Sequence, residues 1–381
     1  MPHRALGNLW GTASAWLAHI RVLLACMLLA GCTSTLQPQD TGGLGGSPAA
    51  SSSTAWNRTP GWRYTNSGGR HTDYPGAKPW ASHLKKLSKG AFARNNPLPS
   101  GHVLAEEETR RQFAAGIKAA SQGGLAITWF GHASFLIRAN GLTILTDPIF
   151  SEKSGPAPFG IRRMAPVRPD PAIVEHLDAI VVSHADYDHM DRQTLVDLRK
   201  RFPDALLIVP AGTAPIAASM GYGPGSILEL PWYETQHLKG NRITAVSAVH
   251  GVRRLPWPVN FSHWNGYRLD LGRHRLYFSG DTGAGDFFAE IRQRTGPADI
   301  ALVPAGAWSP RDFEKPFHVN PEEAMELAAA VGAKEAIAMH WGTFPLSQDK
   351  SIDQKNRFLS AGRAAGLKAT VMRAGETRVW R

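Results

Sequence analysis

From residue 125 onward, short runs rich in Val, Ile, Leu and aromatic residues punctuate the chain, and most of them stop abruptly at a polar residue. The first three, at 125–130, 134–138 and 142–146, are separated by turn signals that include Asn140-Gly141, and they predict an antiparallel meander. Runs at 179–183 and 205–209 then alternate with stretches of helical period near 191–201 and 212–220. A second half repeats the style, with strands predicted at 242–249, 265–271, 274–279, 299–303 and 335–339 and helices at 285–294 and 321–331. Two strand-rich halves with interspersed helices predict an α/β fold, a four-layer αββα sandwich whose turns gather at one edge of the sheets. No short-period sequence repeat accompanies this style.

The pattern changes ahead of residue 121. Thr41-Gly-Gly-Leu-Gly-Gly-Ser-Pro-Ala-Ala-Ser-Ser-Ser-Thr54 reads as a flexible linker, so 32–55 is assigned to one. Residues 56–120, with Trp56, Trp62, Tyr64 and Trp80, predict an irregular extension that ends in a helix around 104–120. Residues 121–381 are then expected to form the main folded domain.

The residues at which the strands stop carry the chemistry. Ala179-Ile-Val-Val-Ser183 runs directly into His184-Ala-Asp186-Tyr-Asp188-His189, which places four potential ligands at one strand end. His250 closes the run 242–249, Asp281 follows Arg275-Leu-Tyr-Phe-Ser-Gly280, and His340 closes Glu335-Ala-Ile-Ala-Met339. Any one of these histidines alone reads as a surface or core residue. Together they predict a metal site, because imidazole nitrogens and carboxylate oxygens are the donors that borderline divalent ions take.

These motifs resemble the metallo-β-lactamase superfamily, and most closely its branch of phospholipases D that hydrolyse N-acyl-phosphatidylethanolamine. The resemblance rests on Thr128-Trp-Phe-Gly-His-Ala-Ser134, Leu145-Thr-Asp-Pro-Ile-Phe150, Ser183-His-Ala-Asp-Tyr-Asp-His189, Gly280-Asp-Thr-Gly283, His318-Val-Asn-Pro-Glu-Glu-Ala324 and Met339-His-Trp-Gly-Thr-Phe344. It implies two divalent ions, with zinc the first expectation. One would be held by His184, Asp186, His250 and Asp281, the other by Asp188, His189, Asp281 and His340, with Asp281 bridging. The resemblance also implies that Tyr187 and His318 contact the phospholipid, that Asp188 orients the nucleophile, and that His318 donates to the phosphate or the leaving oxygen. The alternative for His318 is a helix-entry position ahead of Asn320. Asp186 stands where the family usually has His; a carboxylate is the harder donor and favours manganese or iron at that site. His132 and Asp147 lie in matched motifs without being assigned as ligands, and Asp147 is expected to orient a ligand histidine or to serve a turn before Pro148. Trp257, Trp264 and Trp308 are expected to line an acyl groove or, more simply, to pack in the core.

The remaining readings come from the N-terminus, the cysteines and the charge. Residues 1–31 carry Arg4 and Arg21, no acid, and the apolar core Val22-Leu-Leu-Ala-Cys-Met-Leu-Leu-Ala30, which reads as a secretory signal. Leu29-Ala-Gly-Cys32 resembles the bacterial lipoprotein box. That implies a lipid on Cys32 and a place in the cell envelope; Thr33, not being Asp, suits the outer membrane. An ordinary signal with an incidental Cys, or a short anchor that stays attached, is the alternative. Cys26 and Cys32 are the only cysteines, so a mature domain has neither a disulfide nor a thiolate ligand, unlike β-lactamases that use a Cys at one metal. The net charge of +11 favours anionic partners such as phospholipid head groups. Scattered basic residues and an export signal argue against nucleic acid; oligomeric state is left open. Three functions compete on this reading: a phospholipid phosphodiesterase, a lactonase or cyclic phosphodiesterase on the same scaffold, and a non-enzymatic envelope lipoprotein.

Overall fold

The structure is a computed structural model that describes residues 96–156, 160–257 and 259–381, together with the backbone of a two-residue strand pair at Arg58–Thr59 and Arg63–Tyr64. The signal region, the lipidation position Cys32, the linker and the tryptophans at 56, 62 and 80 lie outside the described residues. Residues Ala55–Arg381 form one compact unit.

In chain order the elements are α1 (Glu106–Ser121), β1 (Leu125–Gly131), β2 (Ser134–Ala139), β3 (Leu142–Thr146), β4 (Ala179–Val181), α2 (Arg192–Arg201), β5 (Leu206–Val209), α3 (Ala214–Ala218) and β6 (Ile227–Glu229). The second half holds β7 (Thr235–Leu238), β8 (Asn241–Val246), β9 (Gly266–Leu271), β10 (His274–Phe278), α4 (Phe287–Thr295), β11 (Ile300–Pro304), α5 (Pro321–Ala330), β12 (Glu335–Met339), α6 (Ser351–Ala365), β13 (Lys368–Thr370) and β14 (Thr377–Trp380).

Two seven-stranded sheets result, ordered β6-β5-β4-β3-β2-β1-β14 and β7-β8-β9-β10-β11-β12-β13. Each is antiparallel on one side and parallel on the other; the change comes at β3 in the first and at β10 in the second. The repeated style of the two halves is therefore a repeat of topology. In both halves a meander turns into a parallel crossover region, where the strands are buried and read as continuous apolar runs.

Strand alternation sorts the core into two clusters. Ile127, Trp129, Phe135, Ile137 and Ile144 point between the sheets and meet Ile243, Tyr267, Leu269 and Phe278. Their neighbours Phe130, Leu136, Leu145, Ile180 and Val182 point outward and pack with Phe113 of α1, Leu195 and Leu198 of α2 and Ile216 of α3. The helices α4, α5 and α6 cover the outer face of the second sheet, burying Phe288, Ile291, Met325, Leu327 and Phe358. The order of layers is α/β/β/α, as expected.

Boundaries shift in ways with local causes. The strand expected over 242–249 leaves the sheet after Val246, because Val249 N bonds the Thr282 hydroxyl instead of a strand partner. The helix expected over 212–220 is the single turn Ala214–Ala218. The helix expected over 104–120 runs from Glu106 to Ser121 and packs on β1 and β14, so the packed unit reaches ahead of residue 121. No helix among the described residues is long and apolar enough to cross a membrane.

Glu335 ties the two sheets at their far edge. It opens β12 and accepts hydrogen bonds from Lys368 Nζ (3.0 Å) and Thr370 Oγ1 (2.5 Å) of the second sheet and from Trp380 Nε1 (2.9 Å) of the first. Burial on its own raises the pKa of this carboxyl, but these three donors prevail and hold it below the ordinary glutamate value. A depressed folded-state pKa contributes stability that is present above the unfolded value near about 4.3 and is lost as pH falls through the folded value. Glu335→Ala is therefore expected to lower the unfolding free energy by about 1–3 kcal/mol at neutral pH. Urea titrations of both proteins should show the gap narrowing on acidification; an equal gap at low pH would contradict the assignment.

Candidate metal centre

The turns that leave β1, β3, β4, β8, β10 and β12 all open on one edge of the sandwich, because β8 runs parallel to β10 and β1 runs parallel to β3. Their first polar residues meet there. His184, Asp186 and His250 form one group of potential ligand atoms lying within 4.8 Å of one another. His132, Asp188, His189 and His340 form a second such group. Asp281 joins His184 and His189 in a third and His318 and His340 in a fourth. The seven residues expected as ligands thus converge, and Asp281 stands between the two halves.

The hydrogen bonds around the imidazoles fix which nitrogen faces the centre. His189 Nδ1 donates to Asp147 Oδ2 at 2.7 Å. Ser183 donates to the same carboxylate, through N to Oδ1 at 2.6 Å and through Oγ to Oδ2 at 2.5 Å. With its proton given to Asp147, the Ser183 hydroxyl accepts from His184 Nδ1 at 2.9 Å. His250 Nδ1 donates to the Phe317 carbonyl at 3.1 Å. In all three rings Nδ1 is bound to protein and Nε2 is directed into the centre, the arrangement that presents a lone pair to a metal. Asp147 is fully buried and orients His189, the role allowed for it as a non-ligand.

The electrostatics follow from packing three carboxylates against six imidazoles. Burial works against ionisation of Asp281, but His189, His340 and His318 around it hold its pKa well below the ordinary value. Asp188 is held low in the same way by His189, His132 and His340. Burial disfavours the charged form of His340, yet Asp281 and Asp188 raise it to about 9. Asp186 is pushed the other way, up to about 7, by burial and by the neighbouring Asp188. His250 is lowered to about 4, chiefly by burial, and is a neutral imidazole.

A divalent ion fits these residues on structural grounds. Asp281 Oδ1 is buried and makes no hydrogen bond, and His189 Nε2 and His340 Nε2, directed into the cluster, face Asp281 Oδ2 at 3.1 and 3.0 Å without hydrogen-bond geometry. Buried polar atoms without such partners cost free energy unless something else satisfies them. Three of the site residues also hold left-handed backbone: His132 at φ 55°, Asp147 at φ 32° and His340 at φ 57°. Non-glycine residues with such φ store strain that concentrates at functional sites.

A cavity of about 200 Å³ opens on the centre. Asp186, Asp188, Asp281, His250 and His340 form its polar floor, and Ala307, Phe313, Phe317 and Leu346 supply apolar wall. His318 lines it as well, with Nδ1 3.7 Å from Asp281 Oδ2. The helix-entry reading holds beside this one: Asn320 caps α5 through its side chain to Glu323 N at 2.9 Å, with Pro321 in the first turn. Tyr187 is not among the lining residues; its hydroxyl donates to the Leu255 carbonyl at 3.2 Å. Trp264 is a core residue, its Nε1 donating to Ala248 O at 3.0 Å, whereas Trp308 is half-buried under Arg357 and Trp257 is exposed.

His132 was legible only as part of a motif. Its Nε2 lies 3.0 Å from Asp188 Oδ2, so it belongs to the inner ring of the centre. A lone histidine in a strand-turn-strand segment gives no spacing signal of its own. Arg253, Phe313 and Phe317, which shape the cavity, lie in loops without periodicity and were not singled out.

Comparison with known proteins agrees with this geometry. A family profile described as a β-lactamase superfamily domain matches residues 143–341. A Caenorhabditis elegans protein named N-acyl-phosphatidylethanolamine-hydrolyzing phospholipase D 1 is 32% identical over 71% of this chain and 78% of its own length. A Myxococcus xanthus protein named UPF0173 metal-dependent hydrolase is 30% identical over 68% of this chain and 82% of its own. Among solved structures, a possible metal-dependent hydrolase from Veillonella parvula shares the fold at 18% identity and a TM-score of 0.55, covering 67% of this chain and 99% of that one.

Asp147→Ala removes the acceptor that fixes His189 and, through Ser183, His184. Zinc affinity is expected to fall about 10–100-fold, with the fold retained. A chelator-competition titration measures this directly, and an unchanged affinity would rule out the positioning role.

Proposed function

The chain belongs to the β-lactamase superfamily as a metal-dependent hydrolase, and we propose that it cleaves the phosphodiester of an N-acyl-phosphatidylethanolamine or a related phospholipid in the manner of a phospholipase D. The observation that carries this reading is the position of Asp281. Its Oδ2 lies 3.1 Å from His189 Nε2 and 3.0 Å from His340 Nε2, and the same carboxylate reaches the His184 side of the centre. A short bridging carboxylate between two ligand groups is what a dinuclear site requires. His184, Asp186, His250 and Asp281 would hold one ion, and Asp188, His189, Asp281 and His340 the other. When bound, a pair of divalent ions supplies a water of lowered pKa and a clamp for phosphoryl oxygens. The donors are those zinc takes, with the extra carboxylate Asp186 giving manganese or iron a claim on the first position.

The protein's own groups then have distinct tasks. Asp188 Oδ2 is held at 3.0 Å from His132 Nε2 and 3.5 Å from His340 Nε2, which fixes the carboxylate where it would accept a hydrogen bond from the attacking water and so orient it. His318, on the cavity wall beside Asp281, is placed to donate to the phosphate or to the departing oxygen. Phe313, Phe317 and Leu346 offer apolar surface to the lipid part of the substrate, and Arg253 at the rim offers charge to its phosphate. Tyr187, turned towards Leu255, would reach substrate only outside the cavity.

Asp281→Ala is expected to lower both the metal content and the phosphodiesterase rate, the latter by a factor of about a thousand, of the order that loss of one electrostatic stabiliser costs. Elemental analysis and turnover of N-acyl-phosphatidylethanolamine, measured beside a lactone and a cyclic phosphodiester, provide the check. Undiminished metal in the variant sinks the bridging role, and a preference for the lactone sinks the substrate reading.

We also propose that the protein is exported and held at the cell envelope by lipid on Cys32, where a phospholipid substrate is concentrated. A single acyl chain binds only marginally, so the anchor needs more than one. The native protein should fractionate with membranes and Cys32→Ser should leave them after a salt wash; a soluble wild type contradicts the anchor.

A further inference from the structure

The large apolar side chains left exposed in the described residues are Ile117, Leu255, Trp257, Val259, Ile352 and Val379. Half of them fall within Leu255-Pro-Trp-Pro-Val259, with Leu255 72%, Trp257 39% and Val259 44% exposed. Scattered exposed hydrophobics need no explanation, but a cluster on one loop does.

The loop is built to present them. Its base is clasped at Asn260, whose backbone N donates to Val252 O at 2.9 Å and whose Oδ1 accepts from Val252 N at 2.8 Å. A turn bond from Trp257 N to Arg254 O at 2.9 Å shapes the tip. Arg254 is buried beneath, donating to Ala185 O at 3.0 Å and Met190 O at 2.9 Å. The root of the loop is also part of the metal centre: Arg253 N donates to Asp186 Oδ1 at 2.6 Å, and Gly251 and Arg253 line the cavity. The apolar tip is thus carried on a root that lines the cavity.

We propose that Leu255, Trp257 and Val259 dock the domain onto a phospholipid bilayer, their side chains entering the interface and the cavity mouth facing the head groups. This rests on the phospholipid reading of the site. Charge selects the occupant: Arg253 is exposed at the root, Lys315 is exposed in the segment whose Phe317 packs against Gly251, and the chain is basic at +11, all of which complement anionic head groups. Size selects it too. Three side chains on one short loop fall far below the roughly 800 Å² per partner that a stable protein interface buries. A membrane interface, in contrast, is held by a few apolar anchors, an indole among them, assisted by basic residues.

The test uses the full chain carrying Cys32→Ser, so that lipidation contributes nothing to any sample. Vesicles of phosphatidylcholine with phosphatidylglycerol are compared with phosphatidylcholine alone, and both are also prepared with bromine-labelled acyl chains. Leu255→Ser with Val259→Ser is expected to weaken vesicle binding about tenfold or more. Turnover of the water-soluble diester bis(p-nitrophenyl) phosphate should stay at the wild-type rate. Trp257→Phe, a conservative change, should remove a distinct share of the fluorescence quenching by brominated lipid. Equal vesicle binding by wild type and the double variant, or quenching that Trp257→Phe leaves intact, overturns the proposal. So does lipid-free dimerisation that the double variant abolishes, because the loop would then be a protein contact. Loop-dependent binding without any lipid head-group release would keep the docking surface and overturn the substrate reading instead.

Discussion

The metal centre depends on how closely two turns from different sheets can approach. Gly280, at φ 57°, lies against Ser183 so tightly that an added Cβ would sit 2.5 Å from the Ser183 Cβ and 2.9 Å from Asn265 O. Only glycine satisfies both the left-handed backbone and the contact. The same junction is locked by Asn265 N donating to Ser183 O at 2.7 Å and by the Tyr267 hydroxyl donating to Val182 O at 2.8 Å. These bonds join β4 of one sheet to β9 of the other just where each reaches the site. They set the distance between the His184–His189 turn and Asp281, and hence whether one carboxylate can serve two ions.

A second layer of constraint lies behind the ligands. Asp147 comes from the end of β3, binds Ser183 and His189, and so couples a neighbouring strand to both ends of the six-residue ligand turn. His132 reaches Asp188 from the far side, and its own backbone carbonyl accepts from His340 N at 3.0 Å. The His250 and Asp281 turns are tied together in the same way, by Val249 N to Thr282 Oγ1 at 3.0 Å and by Gly283 N to Val249 O at 2.7 Å. In such a network the loss of one member is felt beyond its immediate partner.

Much of this was legible in the sequence, for physical reasons. Parallel strands buried on both faces must be apolar until they end, so the first polar residue after each run marks the sheet edge, and His184, His250, Asp281 and His340 were found in that way. What closes the fold was less visible. Strand β14 is the half-polar Thr377–Trp380, which pairs with β1 from the far end of the chain, and β13 and α6 also followed the last predicted strand. Short edge strands carry little alternation, and their pairing is decided by distant contacts such as Glu335 with Trp380. His132 lacked a spacing signal, and Trp257, expected to line an acyl groove or to pack in the core, is instead exposed, because nothing in its local sequence fixes which side of the loop faces solvent.

Asp186 is where the chain departs from the family's usual histidine, and its contacts give that departure a structural meaning. Oδ1 is committed to Arg253 N at 2.6 Å, while Oδ2 lies 3.7 Å from His184 Nε2. A carboxylate offers two acceptors about a common carbon, so it can hold the loop root with one oxygen and face the metal position with the other. An imidazole facing the metal through one nitrogen has one nitrogen left for that backbone amide, across a ring and at a different reach. The residue therefore links the candidate metal centre to the loop that carries Leu255 and Trp257. An aspartate at this position thus joins the candidate centre to the rim of the cavity through one carboxylate.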